Sequence, residues 1–128
     1  MDSADAAAIA QSTLRRFARL TNLGLAATPV AILGEGPVAE ELARILDRIG
    51  AQLVEIDEQV PPQVQLLILA AVGVAVPPVT PADRPLLLVD VGCRPDREWF
   101  TALPSIPSRP GIDGRRGHRD LFWLEFTP

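Results

Sequence analysis

Apolar residues along this chain change from strand-like to helix-like spacing and back, and this change predicts the order of its elements. The run TPVAILG is β-branched and apolar and stops at Gly34, which is typical of a buried strand. After it, apolar residues recur at spacings of three and four, and this pattern predicts a helix that ends at Gly50 as its C-cap. The apolar stripe of that helix consists of Val38, Leu42, Ile45, Leu46 and Ile49.

Three more strands are predicted downstream. AQLVEID follows the helix, and VQLLILAAVG and PLLLVDVG are nearly continuous apolar runs, as expected where other layers cover both faces of a sheet. Only EQVPPQ separates the second strand from the third, whereas a parallel crossover normally takes about a dozen residues or more. Either an extended segment crosses over without a helix, or that pair of strands is not parallel. The prolines of VAVPPVTPADRP argue against a long helix between strands three and four.

The two ends of the chain supply the remaining elements. An Ala-rich segment from Asp5 to about Leu20 carries apolar residues at near-helical spacing and predicts an N-terminal helix. A short helix is predicted near DREWFTAL, followed by a loop rich in proline and glycine. DLFWLEF alternates as a last strand does, and one of its faces would carry Phe122, Leu124 and Phe126. We therefore expect one small Rossmann-like α/β domain over residues 1–128, with a mainly parallel sheet, an N-terminal helix and a C-terminal strand.

Composition and charge narrow the class of protein. With 128 residues, 48% of them apolar and 22% charged, the chain is expected to fold as a single small domain. A net charge of -4 argues against a nucleic-acid-binding protein, because such proteins usually carry a clustered basic excess. No apolar run reaches the roughly 20 residues of a membrane helix, and MDSADAAAIAQ lacks the regions of a signal peptide. We expect no membrane partner and a cytoplasmic location.

Few side chains suggest catalysis or metal binding. Cys93 is the only cysteine, which excludes a disulfide framework, and its distance in sequence from the single histidine favours an ordinary thiol over a nucleophile. A basic cluster lies in the late Gly-rich loop. We expect it to be solvated, because such runs are more often exposed than part of a phosphate or acid site. Its members are Arg115, Arg116, His118 and Arg119. The carboxylates near the end of the fourth strand are interpreted as caps and surface charge, and they are Asp90, Asp96 and Glu98.

The segment GEGPVA carries the strongest candidate chemistry. It follows a predicted strand and opens a predicted helix, which is the context that a G-x-G-x-x-G/A dinucleotide motif requires. Gly34 would permit the tight turn, Gly36 would let a pyrophosphate approach the backbone, and Ala39 would allow close packing of the helix on the strand. The phosphate would lie at the helix N-terminus, where free N–H groups favour an anion.

Three neighbouring residues bear on which nucleotide could bind. Asp57 closes the second predicted strand, at the distance where an acidic residue accepts hydrogen bonds from ribose hydroxyls. Its charge would repel a 2′-phosphate, which favours NAD over NADP. Pro37 removes a backbone donor near the phosphate, and Glu35 places a negative charge beside it. The alternative is a Rossmann-like turn that keeps its glycines for geometry alone.

A longer segment, QSTLRRFARLTNLGLAATPVAILGEGPVAEELARILDRIGAQLVEID, resembles the NAD-binding domain of S-adenosylhomocysteine hydrolase. Members of that family carry Q-S-T, then R-x-T-N, a strand, G-x-G, a helix, G-A and an acidic strand end. The resemblance continues loosely through LAAVG and VDVGCRPDRE. The matching positions are Gln11, Ser12, Thr13, Arg19, Thr21, Asn22, Gly34, Gly36, Gly50, Ala51 and Asp57.

The resemblance implies a cofactor site without the family's reaction. It implies that Asp57 holds the adenosine ribose, that Gly34 and Gly36 hold the pyrophosphate, and that Asn22 lies near the cofactor. The family's chemistry uses a lysine and an aspartate before Q-S-T and a separate substrate domain. This chain contains no lysine in that region and no such domain, so no hydrolase activity is expected. The family's threonine and asparagine after strand three and its histidine after strand four are replaced here by Val72, Val74 and Cys93.

The sequence therefore predicts a stand-alone domain that binds NAD(H) or a related adenine nucleotide and is not a complete enzyme alone. The alternative is a degenerate, non-catalytic scaffold or regulatory subunit that acts through protein–protein contacts, as a homodimer or with a partner chain. LFWLEF, with Trp99 and Phe100, would cover the exposed apolar surface or form the dimer. The predicted cofactor-binding residues are Gly34, Glu35, Gly36, Pro37, Val38, Asp57, Asn22 and Gly73.

Overall fold

Three helices and seven strands are present in the computed structural model, which describes residues 3–21, 24–92 and 95–126. The helices are α1 (Ser3–Thr21), α2 (Pro37–Arg48) and α3 (Glu98–Thr101). The strands are β1 (Pro29–Leu33), β2 (Gln52–Leu53), β3 (Leu66–Leu69), β4 (Leu86–Asp90), β5 (Ser105–Ile106), β6 (Ile112–Arg116) and β7 (Asp120–Glu125).

All of these strands join one sheet in the order β2-β1-β3-β4-β7-β6-β5. Strand β1 pairs in parallel with β2 on one side and with β3 on the other, so that Val30 lies opposite both Leu53 and Leu66. Strands β4 and β7 continue the parallel part, and β6 and β5 add an antiparallel edge. The predicted small α/β Rossmann-like domain with a mainly parallel sheet is confirmed.

Helix α1 confirms the predicted N-terminal helix. Its buried residues Ala6, Ala10, Thr13 and Phe17 recur at spacings of three and four and form one stripe. The Thr13 hydroxyl is buried in this stripe and donates to the carbonyl oxygen of Ile9 at 2.8 Å, which satisfies its polar group inside the helix. Among the described residues, no helix is both long enough and apolar enough to cross a membrane.

Gly50 marks the end of helix α2 as predicted, but it lies one residue beyond the C-cap. Ile49 is the C-cap and Gly50, with φ of 85°, lies just beyond it. The N–H of Ala51 donates to the Leu46 carbonyl at 3.0 Å, and the N–H of Gly50 donates to the Asp47 carbonyl at 3.1 Å. These two bonds define a Schellman motif. Ile49 was predicted in the buried stripe, but it leaves the helix at this cap and is 44% exposed.

The short connection between β2 and β3 crosses over as an extended segment. Strands β2 and β3 pair in parallel with opposite sides of β1. Residues 54–65 connect them without a helix. Within residues 54–65, the N–H of Val60 donates to the Pro78 carbonyl at 2.9 Å, and the Val60 carbonyl accepts from the N–H of Thr80 at 3.1 Å. The first alternative offered by the sequence is therefore the one that the structure adopts.

The two faces of the sheet are covered by different layers. On one face, Phe17 of α1 and Leu42 and Leu46 of α2 belong to a single buried cluster with residues of β1, β3, β4 and β7. On the other face, residues 54–65, residues 74–85 and the region of α3 form a second cluster. Strand β3 and residues 86–89 of β4 are apolar because both layers exclude water from them.

The segment after α3 contains two strands where the sequence predicted only a loop. Strand β6 pairs along its whole length with β7, and β5 pairs with β6 so that Ile106 lies opposite Gly114. The sequence of β6, IDGRR, holds a glycine and charged residues that are poor strand formers. Pairing with a buried neighbouring strand overrides this weak local preference.

Strand β7 lies inside the sheet, and both of its faces are covered. Leu124 and Phe126 belong to the cluster on the α1 side, and Phe122 shares that face and is half-buried, as predicted. Trp123 packs on the opposite face with Phe100, at 5.2 Å between ring centroids. Trp123 and Phe126 are 1% and 2% exposed, so they cover the sheet within this chain and are not available to form a dimer.

Candidate functional site

The turn between β1 and α2 lies at a topological switch point of the sheet. Strand β1 has β2 on one side and β3 on the other, and open α/β sheets bind ligands at the carboxyl ends of strands at such a point. Gly34 and Gly36 form this turn with φ of 106° and 120°, values that residues with a Cβ rarely adopt. The strand, glycine turn and helix predicted around GEGPVA are all present.

Gly34 lies under the turn that follows β3. A methyl group added at Gly34 would come within 2.5 Å of the Ala71 Cβ and 2.9 Å of the Ala71 backbone nitrogen. The N–H of Ala70 donates to the Leu33 carbonyl at 2.9 Å, which draws the two turns together. The close approach of these backbones therefore requires a glycine here.

Gly36 stands beside open space. A methyl group added at Gly36 would meet no described atom within 4 Å. Its φ of 120° and ψ of -176° belong to a backbone region that is almost exclusive to glycine. The turn thus combines a backbone that only glycine adopts readily with free volume above it, at the first turn of α2.

The start of α2 offers backbone donors to that open space. Gly36 is the N-cap, and the N–H of Glu40 donates to the Gly36 carbonyl at 3.0 Å as the first bond of the helix. The N–H groups of Val38 and Ala39 therefore precede the intrahelical ladder, whereas Pro37 has no N–H to offer. The positive end of the helix dipole adds a further attraction for an anion.

Asp57 lies farther from its strand than the sequence predicted. Strand β2 stops at Leu53, so Asp57 does not close it, and the aspartate is exposed at the carboxyl side of that strand. The strand is short because Val54 and Ile56 pack into the buried cluster on the face opposite α2. An exposed carboxylate on this segment retains the capacity to accept hydrogen bonds from ribose hydroxyls.

The remaining predicted cofactor residues have different positions. Glu35 is exposed in the glycine turn. Gly73, with φ of 85°, is exposed in the turn after β3. Asn22 lies outside the described residues, as does Cys93. The structure therefore brings together the glycine turn and the turn after β3, which follow neighbouring parallel strands.

Ala71 belongs to the candidate site but was not singled out in the sequence, whereas Val72 was named there only as the replacement of a family residue. Ala71 contacts Gly34, and Val72 is 87% exposed in the same turn. One signal was present in the sequence, because a small residue directly after a strand at a switch point is suited to close packing against a neighbouring glycine turn. The exposure of Val72 has no such signal, since apolar residues at the end of this run were expected to be buried.

Two members of the basic cluster, Arg115 and Arg119, have structural roles, which corrects the prediction of a solvated loop for these two residues. Arg119 is 3% exposed, and its guanidinium donates to three backbone carbonyls: those of Arg84 at 2.8 Å, Pro85 at 3.0 Å and Pro62 at 3.3 Å. Burial lowers the pKa of Arg119 from its usual value. The guanidinium ties the starts of β3 and β4 to β7 and is not available to an anion in solvent.

Arg115 also makes contacts within the protein. It lies on β6, and its Nε donates to the Asp113 carboxylate at 2.9 Å. Its Nη1 donates to the carbonyls of Thr101 at 3.0 Å and Leu103 at 3.1 Å. Arg115 therefore fixes the end of α3 against β6, whereas Arg116 and His118 of the same cluster are exposed.

A third arginine, Arg97, links the aromatic side chains to the sheet. The Arg97 guanidinium lies 4.4 Å from the centroid of the Trp123 ring and donates to Asp113 at 3.3 Å and to Glu125. Trp123 is in turn packed against Phe100. The cation–π and ionic contacts of Arg97 hold the start of α3 on the sheet. Arg97 therefore packs against the aromatic side chains and also pairs with Asp113 and Glu125.

The carboxylates near the end of β4 have separate roles. Asp96 accepts a hydrogen bond from the N–H of Glu98 at 3.0 Å, but it lies one residue before the N-cap of α3, which is Arg97. Asp90 is 3% exposed at the end of β4, which corrects its interpretation as surface charge. It is buried because β4 is flanked by β3 and β7 in the middle of the sheet. Within the described ranges, no group of three or more histidine, cysteine or acidic residues could hold a metal ion.

Comparison with known proteins adds no family to this picture. No protein-family model matches the chain, and no curated protein matches it. The geometry of the glycine turn therefore carries the functional argument.

Proposed function

We propose that this protein binds NAD(H) at the carboxyl edge of its sheet, between the turns that follow β1 and β3. The open space at Gly36 supports this proposal most strongly. Turn geometry and the contact with Ala71 account for Gly34, whereas the Gly36 backbone borders open space at the N-terminus of α2, so a ligand can approach it. A pyrophosphate that lies against the Gly36 backbone would use both that space and the N-terminus of α2.

Four residues have assigned roles in this complex. The N–H groups of Val38 and Ala39 donate to the pyrophosphate, and Pro37 fixes the first turn of α2 without adding a donor. Asp57 accepts hydrogen bonds from the ribose hydroxyls and disfavours a 2′-phosphate, so NAD binds in preference to NADP. Any chemistry on a substrate uses groups from a partner chain or a second protomer.

Blocking the open space tests this proposal. Gly36→Val places a branched side chain where the pyrophosphate would lie, and we expect it to abolish NAD binding in a calorimetric titration. Gly111→Val is the matched control, because Gly111 also has a positive φ, 84°, and open surroundings but lies far along the chain in the β5–β6 connection. Equal NAD binding by the two folded variants would contradict the proposal.

A second candidate function is that of a scaffold that forms a homodimer through the β2 edge. Strand β2 ends the sheet, and Leu53 on it is 43% exposed. Ile49, at the end of the helix that precedes this strand, is 44% exposed. The N–H of Gln52 donates to the carbonyl of Thr28, just before β1, and that of Val54 donates to Val30. The N–H of the intervening Leu53 is therefore directed to the free edge, where it could pair with another strand.

Sedimentation velocity tests the scaffold function. We expect a dimer at about 50 μM protein. An edge strand of two residues offers only a small interface, at the weak end of the range for specific complexes. Leu53→Lys should shift the protein to monomer, because a charge would be buried at the pairing edge. Val72→Lys changes another exposed apolar residue and should leave the dimer intact. A monomeric wild type would refute this candidate.

A further inference from the structure

The face of the sheet opposite α1 and α2 carries a cavity of about 990 Å³. It lies between the proline-rich segment 76–81 and the α3 region, with Leu121 of β7 also in its lining. Binding pockets for small molecules in proteins occupy roughly 300–1,000 Å³. This cavity, which we call the Trp99 pocket, is therefore large enough for an organic ligand.

Most of the lining of the Trp99 pocket is apolar and flat. Trp99 and Leu103 lie on the α3 side, and Pro77, Pro78 and Pro81 lie on the other. Indole and pyrrolidine rings pack well against a flat apolar molecule, because they offer broad rigid surfaces at little cost in side-chain entropy. The lining therefore suits a ring system better than a flexible chain.

The polar groups of the pocket are few and supply hydrogen-bond donors. The Thr80 hydroxyl donates to the Oε1 of Gln59 at 3.2 Å. This bond uses one lone pair of the Gln59 amide oxygen and leaves both amide N–H groups to donate. His118, the only histidine of the chain, also lines the pocket and is exposed. A ligand with a hydrogen-bond acceptor at one end matches these donors.

Backbone bonds hold the walls of the pocket in place without a ligand. The N–H of Thr80 donates to the Val60 carbonyl at 3.1 Å, and the N–H of Val60 donates to the Pro78 carbonyl at 2.9 Å. Arg119, next to His118 in the chain, is anchored on three carbonyls at the starts of β3 and β4. The pocket is therefore pre-organised, which lowers the entropy cost of binding.

We propose that the Trp99 pocket binds a flat, largely apolar small molecule that carries a hydrogen-bond acceptor at one end. The ring system lies between Trp99 and the prolines, and the acceptor accepts a hydrogen bond from the Gln59 amide or from His118. This site shares no residue with the glycine turn, so the proposal goes beyond nucleotide binding and does not depend on it.

Calorimetric titration with 2-naphthoate tests the proposal. This probe has a flat bicyclic body and one carboxylate, and for its size a Kd of about 0.1 mM or tighter is expected, with one site per chain. Cyclohexanecarboxylate carries the same acceptor without a flat body and should bind at least tenfold more weakly. No detectable binding of 2-naphthoate at about 1 mM, or equal binding of the two acids, would overturn the proposal.

Three variants assign the binding to this pocket. Trp99→Ala removes the aromatic wall, Thr80→Trp fills the cavity, and the double variant Gln59→Ala/His118→Ala removes the donors. Each is expected to weaken 2-naphthoate binding at least fivefold. Ile49→Ala, at an exposed apolar residue at the end of α2, should leave it unchanged. Circular dichroism verifies that each variant is folded. If Trp99→Ala is not folded, Thr80→Trp and the double variant are sufficient to test the pocket.

The outcomes separate this site from the nucleotide site. Gly36→Val should leave 2-naphthoate binding unchanged, whether or not the wild type binds NAD. A loss of less than fivefold in the folded pocket variants, or a loss in Gly36→Val, would place the probe elsewhere and refute the proposal.

Discussion

At the scale of single residues, two glycines of one turn have similar backbone angles but different surroundings. Gly34 has φ of 106° and lies within van der Waals reach of Ala71, whereas Gly36 has φ of 120° and borders open space. The first glycine is required by packing inside the protein. Gly36 is required by its backbone angle, and the space beside it is open.

Alanine at these two positions should therefore affect stability to different degrees. Gly36→Ala adds only backbone strain and should lower the free energy of unfolding by about 1–2 kcal/mol. Gly34→Ala adds the clash with Ala71 and should lower it by about 3–5 kcal/mol in total. Urea denaturation of both variants measures the difference. If the two variants lost equal free energy of unfolding, the turn after β3 would not pack on Gly34.

Arg119 provides a second test at this scale. Arg119→Ala removes a buried guanidinium and its three hydrogen bonds to the carbonyls of Pro62, Arg84 and Pro85, and we expect a loss of about 2–4 kcal/mol in the free energy of unfolding. Arg116→Ala, in the same cluster, removes an exposed side chain paired only with exposed Asp120 and should cost less than about 0.5 kcal/mol. Similar values for both variants would contradict the structural role of Arg119.

At the scale of elements, the extended crossover between β2 and β3 acts as a layer of the core. Val60 is fully buried in this crossover and is bonded on both sides to the segment around Val79. Residues 54–65 and 74–85 thus cover a sheet face with loops where doubly wound proteins commonly place helices. Their prolines restrict the unfolded chain and favour the extended conformation that this layer needs.

Truncation of Val60 tests this layer. Val60→Ala removes two buried methyl groups and should lower the free energy of unfolding by about 2 kcal/mol. Val72→Ala makes the same change at a residue that is 87% exposed and should cost less than about 0.5 kcal/mol. The two variants are compared by urea denaturation. A loss at Val60 no larger than that at Val72 would mean that the crossover does not belong to the core.

Elements with a strong apolar pattern could be predicted from the sequence, and those that depend on pairing could not. The helices α1 and α2 and the strands β1, β3, β4 and β7 follow from apolar spacing. Strand β6 could not be predicted, because its residues are polar and it forms only by pairing with β7. Strand β2 was predicted too long because Val54 and Ile56 are apolar for packing on the opposite layer.

At the scale of the whole molecule, the sheet has one helical face and one face of loops. The candidate nucleotide site lies at the carboxyl edge, and the Trp99 pocket lies on the face of loops. Sequence reasoning predicted the glycine turn, since its chemistry is local to GEGPVA. It could not predict the contact of Ala71 with Gly34 or the burial of Arg119, because both arise from residues that only the folded sheet brings together.

The binding of NAD to the wild-type protein is the most direct test of the central claim. The measurement is a calorimetric titration of NAD, with NADP as the comparator, into protein freed of carried-over nucleotide. We expect NAD to bind with a Kd of about 10 μM or tighter, and NADP at least tenfold more weakly because of the charge of Asp57. Asp57→Arg should abolish this preference. No heat of binding and no thermal stabilisation by NAD at about 1 mM would contradict the account.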